Sequence, residues 1–230
     1  LKAIPDPKEV VNVPGFDGNG AVIPTKISNA GKIIGYIGGA IPHASTYSYD
    51  MDARGFIIDS DGTGFVDLLR SDQQSNWPFD INNDEVIVGA FLPKGNYTTY
   101  YLPAYAYIFD EQSGFKDIHP SNAFYSIAQH ITNSGIILGE YGVSASSGSI
   151  ACIFAGGSVI KLIDSPDFSE TEVQCANDEI AIISGLNGTI YTFYKYTFAS
   201  SLLTKLFSMS GYAKFLAINN AGLAVGYSEE

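Results

Sequence analysis

Read for its apolar and polar positions, the chain repeats one phrase five times: an apolar residue, a small residue, Asn, two turn-forming residues, and a mostly β-branched run that usually closes on Gly. The copies are "ISNAGKIIG" from Ile27, "INNDEVIVG" from Ile81, "ITNSGIILG" from Ile131, "CANDEIAII" from Cys175 and "INNAGLAVG" from Ile218. Asn stands third in all five (Asn29, Asn83, Asn133, Asn177, Asn220), and Gly stands ninth in four (Gly35, Gly89, Gly139, Gly226). Each phrase predicts a hairpin: a strand end, a turn in which the third-position Asn bonds its own backbone, and a β-branched second strand.

A looser phrase of strand, turn and short strand follows each hairpin, from Ala53, Ala104, Gly148 and Gly188. Every repeat then supplies about four strands. Successive phrases start 54, 50, 44 and 43 residues apart, a spacing that fits propeller blades. The last repeat stops at Glu230, and its missing half matches "LKAIPDPKEVVNVPG" at the start of the chain. The expected fold is all-β, a five-bladed β-propeller with four-stranded antiparallel blades, the last closed by the N- and C-terminal segments. It is read as one domain over residues 1–230, with blades near 22–70, 77–119, 124–163, 171–207, and 213–230 plus 1–13.

The phrase I-N-x-x-G-x-I-V-G, with an aromatic strand and a D-L ending downstream, resembles the extracellular HAF repeat of bacterial exported proteins. The likeness covers nearly the whole chain, at about nine positions per repeat; the fourth copy departs from it at Cys175 and Ile183. The resemblance implies export to a secreted, extracellular or periplasmic location, and a propeller. It brings no reaction and no catalytic residues.

Composition narrows the function classes. With 46% hydrophobic and 16% charged residues in 230, the chain reads as globular, and no apolar run is long enough for a membrane span. A net charge of −12 speaks against nucleic acid and anionic membranes as partners, because both are held by Lys and Arg. The expected partner is a glycan or protein ligand of a monomer, and no cofactor is called for. Cys152 and Cys175 fall on a third strand and on the first strand of the next blade, which favours two buried free thiols over a disulfide.

Candidate chemistry gathers in the loops opposite the Asn turns. Two of them, from Gly38 and from Phe91, are long and carry His43, Tyr47, Tyr49, Tyr97, Tyr100 and Tyr101; Trp77 falls in the connection between them. Such rings suit sugars, peptides and partner surfaces, and equally suit packing of the loops on the rim. The reading is one asymmetric ligand-binding site, because the residues before each phrase (Lys26, Asp80, His130, Gln174, Ala217) do not repeat. A glycan-active hydrolase is the alternative, with Asp80, Glu172 and Asp50 as the carboxylates nearest the channel. Asp59 and Asp61 open a string like a calcium loop, but Arg70 stands where a bidentate Glu is needed, so an Asp- and Gly-rich turn is expected there rather than a metal site.

Overall fold

In the second strand of each repeat the apolar residues run nearly without a break, as in "KIIGYI" and "IVGAFLP". Such a run suits a strand covered on both faces. The computed structural model describes residues 22–38, 53–95, 103–145, 147–156, 158–163 and 165–229. Every regular element among them is a strand, so no helix there is long and apolar enough to cross a membrane. The chain divides into two compact units, Leu1–Asp117 and Ile118–Glu230.

The first unit holds two antiparallel sheets in which sequence neighbours pair. One has the order β1 (Val22–Ile27), β2 (Lys32–Ile37), β3 (Arg54–Asp59), β4 (Val66–Asp67). The other has the order β5 (Gln73–Ile81), β6 (Ile87–Pro93), β7 (Tyr105–Asp110), β8 (Gly114–Asp117). Ile34, Ile57 and Leu68 of the first sheet pack on Ile81 and Ile87 of the second. Each fully buried side chain of this size stabilises by roughly 1.5–3 kcal/mol.

The second unit repeats the pattern in β9 (Tyr125–Ile131), β10 (Ile137–Gly142), β11 (Ile150–Ala155) and β12 (Ser158–Lys161). Next come β13 (Glu170–Ala176), β14 (Ile180–Asn187), β15 (Ile190–Thr197) and β16 (Leu202–Ser210). The pair β17 (Ala213–Ile218) and β18 (Ala224–Ser228) ends it as a fifth sheet, with two strands among the described residues. Leu138 and Ala151 meet Val173, Ala181 and Ile183 between the third and fourth sheets. Cys175, Ile182 and Phe193 meet Ala213 and Phe215 between the fourth and fifth.

The repeated glycine has a steric cause. Each first strand carries an unpaired extra residue two positions before the repeated phrase or its equivalent, Thr25, Phe79, Gln129, Gln174 or Leu216, and β5 carries a second at Gln74. Such a bulge swings the backbone toward the second strand. A Cβ at Gly35, Gly89, Gly139 or Gly226 would come within 3.0 Å of the carbonyl oxygen of Ile23, Trp77, Ile127 or Lys214 respectively. The fourth sheet places Ile183 there, paired with Val173 and fully buried, and nothing in the structure explains how it is accommodated.

The turns differ from expectation in one respect: the side chain that ties the turn is the second residue of the phrase, not the third. Ser28 Oγ accepts from Lys32 N at 3.2 Å, and Asn82 Oδ1 from Val86 N at 3.0 Å. Thr132 Oγ1 accepts from Ile136 N at 2.9 Å, and Asn219 Oδ1 from Leu223 N at 2.9 Å. The third-position Asn133 instead reaches the next hairpin, donating to Asp178 Oδ2 at 3.1 Å. Asn177 does tie its own turn, accepting from Glu179 N and Ile180 N at 2.9 Å. It does so because the fourth turn is one residue shorter, bridged from Asn177 N to Ile180 O, where the others span from Ser28 N to Lys32 O and its equivalents. An alignment without gaps therefore sets that strand one residue out of step.

Candidate functional site

Trp77, expected in a connection above the sheets, lies inside β5 and is 3% exposed. It packs with Tyr36, Ala53 and Leu92, with Phe79 beside them. The ring is therefore core, and the reading of Trp77 as a ligand contact is corrected: a ligand cannot stack on a face that the protein already covers. Tyr47, Tyr49, Tyr97, Tyr100, Tyr101, His43 and Asp50 lie outside the described residues.

The other candidate carboxylates of the first unit, Asp80, Asp59 and Asp61, have protein partners. Asp80 is buried, accepts from the backbone N of Ile81 at 2.9 Å and pairs with Lys26 at 3.3 Å. Asp59 pairs with Lys32 at 3.2 Å. Asp61 Oδ1 accepts from Thr63 N at 2.9 Å and Thr63 Oγ1 at 2.7 Å, the closed ring of an Asx turn. Among the described residues no three His, Cys, Asp or Glu side chains are placed to hold a metal ion. Cys152 and Cys175 are both buried free thiols; burial, then Glu140, pushes the first thiol up, and burial pushes the second up to about 12.

The concentration of chemistry lies in the second unit, around a residue the sequence reading passed over. Glu140 sits in β10 between Ile127 of β9 and Ala151 of β11, and is 3% exposed. Gln129 Nε2 donates to its Oε1 at 3.3 Å. Ser149, 2% exposed, lies beside the carboxyl and favours its charged form as a hydrogen-bonding neighbour. Tyr125 pairs with Gly142 in the next row, and its ring covers that glycine, whose Cβ would fall within 3.0 Å of it. Its hydroxyl is buried and lacks a partner among the described residues.

The fourth sheet supplies the acidic side of this cluster. Thr171 N donates to Ser149 O, and Ala151 N to Thr171 Oγ1, each at 2.8 Å. These bonds dock the start of β13, with Glu170 and Glu172, against β11. Gln174 Nε2 donates to Glu172 Oε2 at 3.1 Å and to Ser184 Oγ at 2.9 Å. Its Oε1 accepts from Phe215 N of the fifth sheet at 3.2 Å.

Electrostatics follow from that packing. Burial, then the charge of Glu172, pushes the Glu140 carboxyl up to about 8, with Glu170 adding to the rise and Ser149 and Lys214 opposing it. Glu170 is raised by burial and then by Glu172. Tyr125 is raised by burial, then by Glu140, Glu170 and Glu172. A carboxyl kept largely protonated beside other acidic groups can donate a proton, or ionise when a cation arrives. One sequence signal marked it: in "ILGEYG" a lone charge follows the repeated glycine, where other repeats have Tyr36, Ala90, Ser184 and Tyr227.

No family model matches the chain, and no curated protein sequence does. Solved structures do. One, from a study of two prolyl endopeptidases, aligns with a TM-score of 0.62 at 11% identity, over 95% of this chain and 32% of that one. Another, an oligogalacturonate lyase in complex with manganese, aligns with a TM-score of 0.50 at 10% identity, over 87% of this chain and 68% of the lyase. The chain thus spans about a third of the length of the endopeptidase. At such identities the likeness is one of fold alone: an all-β, propeller-type arrangement of four-stranded antiparallel sheets.

Proposed function

We propose that this chain is a non-catalytic, exported binding module that takes a glycan or protein ligand at the sheet ends opposite the Asn hairpins. One observation carries the reading. The residues that repeat (turn ties, glycines and bulges) serve the strand pairing at the hairpin end, whereas the loop sequences at the other end differ from repeat to repeat. A scaffold that is uniform at one end and varied at the other presents a single asymmetric surface. The tyrosines of the two long loops, with Trp77 now removed from the set, remain its proposed contacts. Binding on a glycan array that is lost in a Tyr100→Ala, Tyr101→Ala variant of unchanged melting temperature is the expected result. No binding by the parent chain to glycans or purified surface proteins overturns it.

A second reading, a glycan-active hydrolase, is favoured by one observation: a largely protonated Glu140 within the field of Glu172. Asp80 is engaged by Lys26, so the hydrolase would depend on Glu172, and polysaccharide turnover abolished in Glu172→Gln would favour it over the binding module.

We also infer a fifth blade completed by residues 1–13. The sheet of β17 and β18 exposes Leu216, Leu223, Val225 and Tyr227, an apolar surface that further strands would cover. Deleting residues 1–13 should lower the melting temperature by several degrees; a truncated protein that melts like the parent refutes the closure.

A further inference from the structure

We infer a further glycan contact in the second unit: Tyr212 stacks a neutral pyranose at the shared end of the fourth and fifth sheets, with Tyr191 at its flank and Glu170 taking a hydroxyl of the sugar. The contact rests on the reading of that end as the ligand face, and it lies on residues other than the loop tyrosines.

Strand register shows that Tyr191 breaks the repeat. The third-strand residues paired with the repeated glycine, or with Ile183 in its place, are Phe56, Tyr107, Cys152 and Tyr194. Three residues before them stand Ala53, Ala104, Ser149 and Tyr191. The first three are small and buried. Ala53 and Ser149 are closed over by the first strand of the following sheet: their carbonyls accept from Asn76 N at 2.9 Å and Thr171 N at 2.8 Å. A junction closed in this way leaves no volume for a tyrosine ring. At the fourth sheet the following segment reaches further, and Gly211 N donates to Thr189 O at 3.3 Å, two residues nearer the sheet end. That bond, with Glu229 N donating to Tyr212 O at 2.8 Å, fixes the backbone at Tyr212.

The Tyr212 ring is held on both flanks and still open. Its centroid lies 6.0 Å from that of Tyr191 at 89°, and 5.9 Å from that of Tyr227 at 51°, within the range of attractive aromatic pairs. Yet Tyr212 is 42% exposed. A ring placed this firmly and left this open is preorganised for a ligand that stacks on it. Tyr227 serves only as a flank, so a completed fifth blade can cover it and keep the contact.

The neighbours of the rings select a sugar. Glu170 pairs with Leu186, and Leu186 with Tyr191. Paired residues share a face, so the three form one row, with its outer members two strand spacings of ~4.8 Å apart. All three are half-buried rather than closed off. Burial, then the charges of Glu170 and Glu172, raises the Tyr191 hydroxyl. An aromatic ring beside a leucine takes the C–H face of a pyranose. A carboxyl exchanges hydrogen bonds with a sugar hydroxyl in either protonation state, because the hydroxyl both donates and accepts. Acidic sugars would meet Glu170 and Glu172 as like charges. A proline-rich segment also stacks on tyrosine, but its prolines have no N–H to give a carboxylate.

Calorimetric titration of the whole chain with gluco-, xylo-, manno- and galacto-hexaoses tests the contact, with hexagalacturonate and decaproline as controls. At least one neutral hexaose should bind, with equal affinity in about 0.1 M and 1 M sodium chloride because the ligand carries no charge, and neither control should. Tyr212→Ala should weaken that binding about tenfold, and Tyr212→Phe, which keeps the ring, less than about threefold. Undiminished affinity in Tyr212→Ala, or an equal loss in Tyr212→Phe, overturns this contact and leaves the loop tyrosines as the ligand face. Binding of decaproline in place of the hexaoses makes the ligand a peptide and overturns it as well. If no hexaose binds, the contact falls, whereas the binding module falls only if purified surface proteins also fail to bind. If Tyr212→Ala does not fold, protection of Tyr212 from tetranitromethane by the bound hexaose replaces it as the measurement, and nitration of Tyr212 at the unliganded rate overturns the contact.

Discussion

In the third sheet the backbone at Gly139 passes so close to the carbonyl of Ile127 that a Cβ would come within 3.0 Å of that oxygen. The contact exists because Gln129 bulges out of β9 and brings the strands together. Gly139→Ala should therefore destabilise the protein by about 1–3 kcal/mol, the range for forcing atoms into a packed site. Gly135→Ala is the comparison. Its φ of +84° is strained for alanine but nothing lies within 4 Å of the added carbon, so its cost is limited to the left-handed backbone, about 1–2 kcal/mol. Denaturant midpoints of the two variants measure the difference; an Ala at Gly139 that leaves the midpoint unchanged would remove the steric account of the repeat.

The turn residues make a paired test. Asn219 Oδ1 accepts from Leu223 N at 2.9 Å, whereas the neighbouring Asn220, the one that repeats by sequence, is exposed. Asn219→Ala should cost about 0.5–1.5 kcal/mol, the net worth of one such bond, and Asn220→Ala should fall within about 0.5 kcal/mol of the parent. Thermal melts that rank the two in the opposite order would return the turn to the third residue.

Trp77→Ala should cost about 3–5 kcal/mol, as for other large rings removed from a packed core. Urea unfolding of the variant checks this. A loss under about 1 kcal/mol would mean that the ring does not hold Tyr36, Ala53 and Leu92 together.

Trp77 also illustrates what the sequence could and could not reveal. The strand–turn–strand phrases were legible because their period is local, and β3–β4, β7–β8, β11–β12 and β15–β16 fall where the pattern put them. The stretch "SDQQSNWPFD" read as a connection because it is polar. In the structure Gln73, Ser75 and Asn76 are buried strand residues. Tyr107 Oη donates to Asn76 Oδ1 at 2.9 Å, and Asn76 Nδ2 donates to Gln73 Oε1 at 3.0 Å. Polar groups satisfied by one another can be buried, and partners 31 residues apart leave no mark in a local window. Glu140 escaped for the related reason that its neighbours Glu170 and Glu172 belong to another sheet, so only its place in an apolar strand hinted at it.

That burial fixes a pH dependence whose sign can be worked out. Unfolded, the Glu140 carboxyl returns to its ordinary value of 4.5; folded, it stands at about 8. Between those values the folded chain binds more protons than the unfolded one, so stability is greatest at the acidic end and falls as pH rises toward 8. The slope from this one group is at most about 1.4 kcal/mol per pH unit, and Glu170, also raised by burial, adds to it with the same sign. Glu140→Gln removes the proton exchange while keeping the shape, so the variant should lose most of the slope and overtake the parent in stability near pH 8. Guanidinium unfolding at about pH 5.5, 6.5 and 8 measures it. A parent whose stability rises over this range, or a Glu140→Gln variant with the parent's slope, would show that the carboxyl is ionised in the folded chain.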